Sequence, residues 1–273
     1  MKLNELNAVT ASFALSETMP VLFVGHGNPM YAITENEYAY NWQQLGKTLP
    51  RPDAVLCISA HWETRGTFVT AMEKPKTIHD FYGFPKSLFD VQYPAPGSAG
   101  LAKETKESID TISVGLDYDW GLDHGCWSVL KHIYPNADIP VVEMSLDYTQ
   151  SPQWHFELAG ELSGLRKKGV LIVGSGNMVH NLRAVDFNMA GGFDWALEAS
   201  DILKKLIVAR NFKSLINYKN LGKAVQLAVP TPEHYLPLLY GLALAGPDEN
   251  ISLFNDKAEV GSITMTSLKI DKQ

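Results

Sequence analysis

The chain has little cysteine, two residues in 273. Two thiols cannot build a disulfide framework, which fits a reducing cytoplasm. It has no long apolar run. None reaches the roughly 18–20 residues of a bilayer-spanning helix, so a helical membrane span is excluded. Arginine is scarce, at five positions: Arg51, Arg65, Arg166, Arg183 and Arg210. Net charge is −7, and no basic residues gather into a stripe, so nucleic acid is not an expected partner. There is no internal repeat and no low-complexity tract. What remains is an ordinary globular composition, 45% apolar and 19% charged. Residues 1–18 are mixed and polar. Their apolar stretch Ala8–Leu15 is broken by Thr10 and Ser12, unlike a secretory signal. The expectation is a short tail or helix over 1–18, one domain over 19–273, cytoplasmic localisation, and a monomer or small homo-oligomer.

Four short apolar runs read as strands covered on both faces: Pro20–Val24, Ala54–Ser59, Pro140–Leu146 and Val170–Val173. Helix patterns lie between them. Tyr38, Trp42, Leu45 and Leu49 share one face. Ser98 and Ser151 stand at N-cap positions, the second followed by Pro152. Trp195–Ile207 reads as a further helix, and Thr231-Pro232 opens another, which Pro237 kinks or delays. Gly261–Ile270 reads as a last strand. The alternation predicts an α/β fold: a three-layer α/β/α domain with a largely parallel or mixed central sheet. The proline-rich segment Lys74–Pro96 predicts a long irregular loop, the kind that often carries function.

Histidine placement carries the chemistry. His26 and His61 each follow an apolar run by two residues, and His180 follows Val170–Val173 by seven. Ligands of open α/β sheets bind outside the carboxyl ends of the strands, so three strands deliver an imidazole to one rim. His234, just after Thr231-Pro232, faces the same rim if a helix starts there. Imidazole is a common divalent-metal ligand and the usual base near neutral pH. Glycines flank His26 and let the backbone turn sharply around it. A lone histidine more often satisfies a local hydrogen bond, and His132 and His155, inside helix patterns, read that way. His79 has Asp80 beside it, which allows a local pair. Cys57 and Cys126 read as packing residues. Gly174-Ser175-Gly176-Asn177 lacks the third glycine of a dinucleotide loop and the Gly-Lys-Ser/Thr of a P-loop. Gly25-His26-Gly27 lacks the arginine that a phosphohistidine site places before its histidine.

The segments GHGNPM (25–30), SAHWETRGT (59–67), TIHDFYGFP (77–85), YPAPGS (93–98), DHGCWSVL (123–130), GSGNMVHNLR (174–183) and TPEHYLPLL (231–239) closely resemble the class III extradiol ring-cleavage dioxygenases of the LigB superfamily. The DOPA 4,5-dioxygenase-like subgroup is the best match, in order over roughly residues 19–270. The resemblance implies a non-haem Fe(II) enzyme that opens a catechol (DOPA-like) ring with O₂ beside its two hydroxyls. It implies His26, His61 and His234 as metal ligands and His180 as acid/base. His124 and His79 then stand near the substrate, with His124 also catalytic. Better-known relatives use two His and one Glu at the metal. Here the third position is a histidine with Glu233 beside it. A four-imidazole set including His180 would also accept Zn(II) during purification. Aromatic residues Trp62, Phe81, Tyr82, Phe84 and Tyr235 are candidate pocket walls. Two readings stand beside the dioxygenase: a zinc hydrolase using the same histidines, and a non-catalytic metal-binding protein.

Overall fold

The structure is a computed structural model that describes residues 17–272. The expectation for the tail therefore lies almost wholly outside the described residues. Among the described residues ten strands occur in chain order: β1 (Val21–Gly25), β2 (Ala54–Thr64), β3 (Phe68–Thr70), β4 (Gly115–Asp117), β5 (Val141–Asp147), β6 (Val170–Gly176), β7 (Asn250–Phe254), β8 (Ala258–Glu259), β9 (Ile263–Thr264) and β10 (Ser267–Asp271). Eight of them form one sheet in the order β4-β3-β5-β2-β6-β1-β10-β7, and β8 and β9 pair separately. The centre, β5-β2-β6-β1, is parallel. On one side β10 and β7 add antiparallel strands. On the other, β3 pairs antiparallel to β5 and parallel to β4. The sheet is mixed around a parallel core.

Alternation along the central strands feeds two cores. Val21 and Phe23 face one cluster with Leu56, Ile58 and Ile172. Leu22 and Val24 face the other with Val55, Cys57, Leu171 and Val173. Helices cover both faces, which is why these strands read as continuous apolar runs. Six helices matter here: α1 (Glu37–Thr48), α2 (Ala99–Glu107), α3 (His124–Ile133), α4 (Pro152–Glu161), α5 (Asp194–Val208) and α6 (Leu236–Ala243). The caps expected at Ser98 and Ser151 form, each accepting a backbone N–H from the first turn of the helix that follows, and Asn36 and Asp123 cap α1 and α3 in the same way.

Four elements differ from expectation, the first three for a plain physical reason. Strand β2 runs on past Ser59 to Thr64, with a register shift between Ile58 and Glu63. His61 therefore sits in an irregular strand extension rather than in a loop. Strand β6 absorbs Gly174-Ser175-Gly176. A Cβ on Gly174 would meet the Pro237 carbonyl oxygen at 2.3 Å, and one on Gly176 would meet that of His234 at 2.2 Å. These glycines let the 232–237 turn lie against the strand. Helix α6 starts at Leu236, not at Thr231, with Pro237 in its first turn where a missing N–H costs nothing. His234 thus stands in the turn before α6, tied to the end of β6 by Asn177 N–H donating to its carbonyl at 2.9 Å. The expected last strand is split into β9 and β10.

Candidate functional site: a cluster of imidazoles at the carboxyl rim

Strands β1, β2 and β6 are parallel neighbours, so their carboxyl ends share one rim. His26 follows β1, His61 lies in the extension of β2, and His180 follows β6. Gly27, next to His26, takes φ +59°, the left-handed turn expected of it. The ring centroids of His26, His61 and His234 lie 4.9–5.4 Å apart. His180 stacks on His234 at 3.5 Å with an interplanar angle of 11°. His124, at the start of α3, lies 3.9 Å from the His61 ring. Five imidazoles thus line one cavity of about 330 Å³.

Each of four rings has its Nδ1 turned to an oxygen. His26 Nδ1 lies 3.0 Å from Ser175 Oγ, which itself donates to the Gly125 carbonyl. With that proton committed, Ser175 Oγ accepts from His26. His124 Nδ1 lies 2.9 Å from Asp80 Oδ2, while His124 N–H donates to Asp80 Oδ1. His61 Nδ1 lies 3.3 Å from the same carboxylate. His234 Nδ1 lies 3.1 Å from Glu233 Oε1. These partners place the proton on Nδ1 and leave the Nε2 lone pair for the cavity. Such outer partners are the ones that orient metal-ligating imidazoles. The His26 and His61 Nε2 atoms face each other at 3.0 Å. Two lone pairs at that distance repel unless a proton or a cation lies between them.

Electrostatics agree with neutral rings. Burial, then the neighbouring imidazoles, push His26 and His234 well below the ordinary histidine range. Burial and His124 lower His61 to about 3 against the opposing pull of Asp80. Burial lowers His180 to about 4, with Glu233 pulling the other way. Asp80 shows the reverse balance. Burial alone would raise it, but hydrogen bonds to His124 and the adjacent imidazoles hold it at about 2. Neutral imidazole is the form that binds metal ions. Candidate ligand atoms within 4.8 Å of one another fall into two separate groups, His26, His61 and His124, and His180, Glu233 and His234, which the ring contacts of His234 with His26 and His61 bring side by side.

The remaining histidines are turned elsewhere. His79 Nε2 lies 2.9 Å from the Val91 carbonyl, its ring packs on Trp127, and it does not line the cavity. His132 and His155 are buried and held by backbone or tyrosine oxygens. Cys57 and Cys126 are buried free thiols, as the packing reading expects. Among the candidate wall residues, Phe81, Tyr82 and Phe84 line the cavity. Trp62 and Tyr235 do not. Trp62 stacks on Trp120, and Tyr235 donates to the Leu215 carbonyl.

Sequence reasoning missed two acids. Asp80 does not form the local pair that its place beside His79 allows; it clamps His124 and His61. Glu143, fully buried in β5, accepts from Asp123 N–H and from Trp120 Nε1–H. Asp123 in turn accepts from Ser59, whose hydroxyl oxygen receives the His61 N–H. Burial and the presence of Asp123 push Glu143 upward, and burial raises Asp123 to about 6. This pair supports the floor under His61 and His124. Its signal was a charged residue inside an apolar run.

Most of the chain matches known proteins. Residues 21–263 match the family described as the catalytic LigB subunit of aromatic ring-opening dioxygenase. The chain is 46% identical to the 4,5-DOPA dioxygenase extradiol of Escherichia coli (strain K12), over 93% of this chain and 96% of that one. It is 33% identical to the protein of the same name from Beta vulgaris, over 90% and 94%. A crystal structure of an uncharacterized protein from Escherichia coli K12 superposes with a TM-score of 0.82 at 43% identity, covering 92% of this chain and 99% of that one. Among the described residues no helix is long and apolar enough to cross a membrane. With family match, curated relatives and fold in agreement, the chain belongs to the LigB family of aromatic ring-opening dioxygenases, the class III extradiol enzymes, beside the 4,5-DOPA extradiol dioxygenases.

Proposed function

We propose that the chain is a non-haem Fe(II) extradiol dioxygenase that opens the ring of a DOPA-like catechol. The observation that carries this reading is the convergence of His26, His61 and His234, each with Nδ1 fixed outward, around facing lone pairs. The donor set fits a divalent ion: neutral, convergent, and backed by Ser175, Asp80 and Glu233. Residues 19–273 act as one catalytic domain, since the strands near its two ends, β1 and β10, pair in one sheet. Fe(II) held by the three imidazoles would supply a Lewis-acidic, redox-active centre that lifts the spin barrier between a catechol and O₂.

The protein's own groups handle the protons. His180 is a neutral imidazole near pH 7, and its ring lies against His234 at the cavity. It takes a proton from one catechol hydroxyl and returns it as oxygen enters the ring. His124, protonated on Nδ1 by its bond to Asp80, offers an Nε2 lone pair to the second hydroxyl. Phe81 and Phe84 give the ring an apolar wall and keep water out. The reaction balances without another reductant: the carbon–carbon bond beside the diol breaks, and both atoms of O₂ enter the semialdehyde product.

The test is anaerobic reconstitution of the metal-free chain with Fe(II), addition of L-DOPA, and admission of air. A yellow ring-opened product with one O₂ consumed per catechol is expected. Four clustered imidazoles also suit Zn(II), so zinc is the ion expected in protein purified without added iron. Ester or amide hydrolysis by zinc-loaded protein without O₂, together with no catechol cleavage by the iron form, would replace this reading with a hydrolase.

A further inference from the structure

The cavity's lining separates into two parts. Its floor is the imidazole cluster. Its mouth is apolar and comes from three segments. Tyr82, 91% exposed, projects from the 77–85 loop. Leu182 and Phe187, 65% and 82% exposed, come from the segment after His180. Val260 and Ile263 come from the β8–β9 hairpin. The last two segments are stitched together. His180 bridges Ile263, Gly192 bridges Gly261, and Asp186 N–H donates to the Val260 carbonyl. The mouth wall is therefore preformed. Val260 adds a second sign of commitment. It holds φ +43°, a left-handed conformation that a β-branched residue rarely takes. Strain of this kind persists where surrounding structure imposes it and clusters at ligand-facing positions.

The charges in the lining are of one sign. Asp80 and Glu259 border the cavity, and Glu233 sits behind His234. Glu259 accepts from the Tyr31 hydroxyl, with Asn28 beside them in the lining. Among the described residues lining the cavity there is no lysine and no arginine. Arg183, on the turn between Leu182 and Ala184, is exposed and outside the lining. Lys257, near the hairpin, is already paired with Glu37. A carboxylate on the far end of a bound substrate would lose water among apolar side chains and meet only like charge.

We infer that this site selects catechols whose ring substituent is uncharged or cationic, with Glu259 and Tyr31 receiving an ammonium, and that it discriminates against substituents carrying only a carboxylate. The inference rests on the catechol reading above and deepens it. A zwitterionic amino-acid side chain is accepted through its ammonium, and removing its carboxylate improves it. Apolar Phe187, Val260 and Ile263 accommodate the linker.

The experiment uses the full chain and small catechols that differ in the charge of the ring substituent: 3-(3,4-dihydroxyphenyl)propionate, its near-isosteric primary amide, and dopamine, with L-DOPA against its methyl ester. Two readouts are taken. One is kcat/KM of the iron-loaded enzyme. The other is anaerobic Kd by calorimetry with the zinc-loaded protein, which needs no turnover. In both, the amide and dopamine should exceed the propionate by about tenfold, as one uncompensated charge near ~10 Å in a partly buried site implies. The methyl ester should exceed L-DOPA. Added salt should narrow the gap. Phe187→Lys, at an exposed position where folding is not at stake, should raise the ratio of propionate to amide use several-fold, whatever it does to overall activity. Equal or better use of the propionate overturns the inference while leaving ring cleavage intact. If that preference disappears in Arg183→Ala, Arg183 reaches into the site and the charge argument is wrong. Binding in the expected order without turnover of any catechol would retain this selectivity and overturn the dioxygenase reading. Absence of binding by every catechol overturns both.

Discussion

Two buried polar clusters occupy opposite ends of the same sheet and are built on opposite rules. At the amino ends of β1 and β6, Arg166 is enclosed by acceptors. Its guanidinium donates to the carbonyls of Met19 and Leu244 and forms a two-pronged pair with Glu249 at 2.5 and 2.9 Å. Glu249 also accepts the Gly246 N–H. The cluster is closed on itself and lines no aromatic cavity. At the carboxyl ends, four imidazoles have an oxygen partner on Nδ1 and no fixed oxygen partner on Nε2, and the Nε2 atoms of His26 and His61 face each other. The same contrast appears within one residue type. His155 has both ring nitrogens engaged, by Tyr240 Oη and the Asp147 carbonyl. His26 and His234 each keep one nitrogen uncommitted to a fixed oxygen partner. A closed cluster ties down the fold. An open one withholds hydrogen-bonding capacity for a ligand.

The sharpest way to break this contrast is to exchange outcomes between the clusters. His61→Ala should lower catechol turnover by at least about 10³-fold, since several kcal/mol of transition-state stabilisation depend on the ion it helps to hold. The melting temperature of the metal-free protein should hold or rise, because a desolvated imidazole is removed. Arg166→Leu should do the reverse. It strands the buried Glu249 carboxylate and should cost about 3–5 kcal/mol. That is on the order of 10 °C in melting temperature for a chain of this size. Turnover per folded, iron-loaded molecule should be unchanged. Paired thermal melts and O₂-electrode assays decide the matter. Equal loss of stability in both variants would erase the distinction.

A finer test concerns the acid that serves two imidazoles. Asp80 bridges His124 and His61, and its side chain is only 17% exposed. Asp80→Asn keeps the shape but removes the charge and frees the tautomers. Loss of such an outer-shell partner should cost about 10–100-fold in metal affinity or activity. Metal titration and kcat measured on one preparation check it. An effect below twofold would mean that the Nδ1 partners do not orient these rings.

How much of this was legible in the sequence depends on the length scale of each signal. The central strands were visible because both faces are buried, so their apolar runs are unbroken. The helix starts at Ser98 and Ser151 were visible because capping is local. The shared rim of His26, His61 and His180 followed from a topological rule that needs only strand order. Asp80 was not legible as a partner of His124. The two lie 44 residues apart, and nothing local separates Asp80, which turns into the site, from His79, which turns to Val91. The late start of α6 was only half legible. Pro232 and Pro237 both suit a first helical turn, and the close packing of the 232–237 turn against Gly174 and Gly176 decides between them. Glu143 left a trace, as a charge inside a strand buried on both faces. Its partners Asp123 and Trp120 come from another part of the chain.

The smallest predicted effect tests the closed side of the comparison through pH. Burial lowers His155 to about 4, against the ordinary histidine value of 6.5. Below pH 6.5 the unfolded chain takes up a proton that folded His155 refuses until about pH 4. The stability that neutral His155 contributes is therefore complete above pH 6.5 and is lost as pH falls toward 4. The slope is at most about 1.4 kcal/mol per pH unit for one group. The site imidazoles are lowered as well and add the same sign in metal-free protein, so the wild-type curve alone does not isolate His155. The difference between wild type and His155→Gln does, because only His155 is missing from it. Urea unfolding of the metal-free proteins at pH 7.5, 6, 5 and 4.5 should show the wild-type advantage shrinking across that window. A difference independent of pH would mean that His155 titrates alike in both states, and that a histidine engaged on both nitrogens is no more closed to protons than one in water.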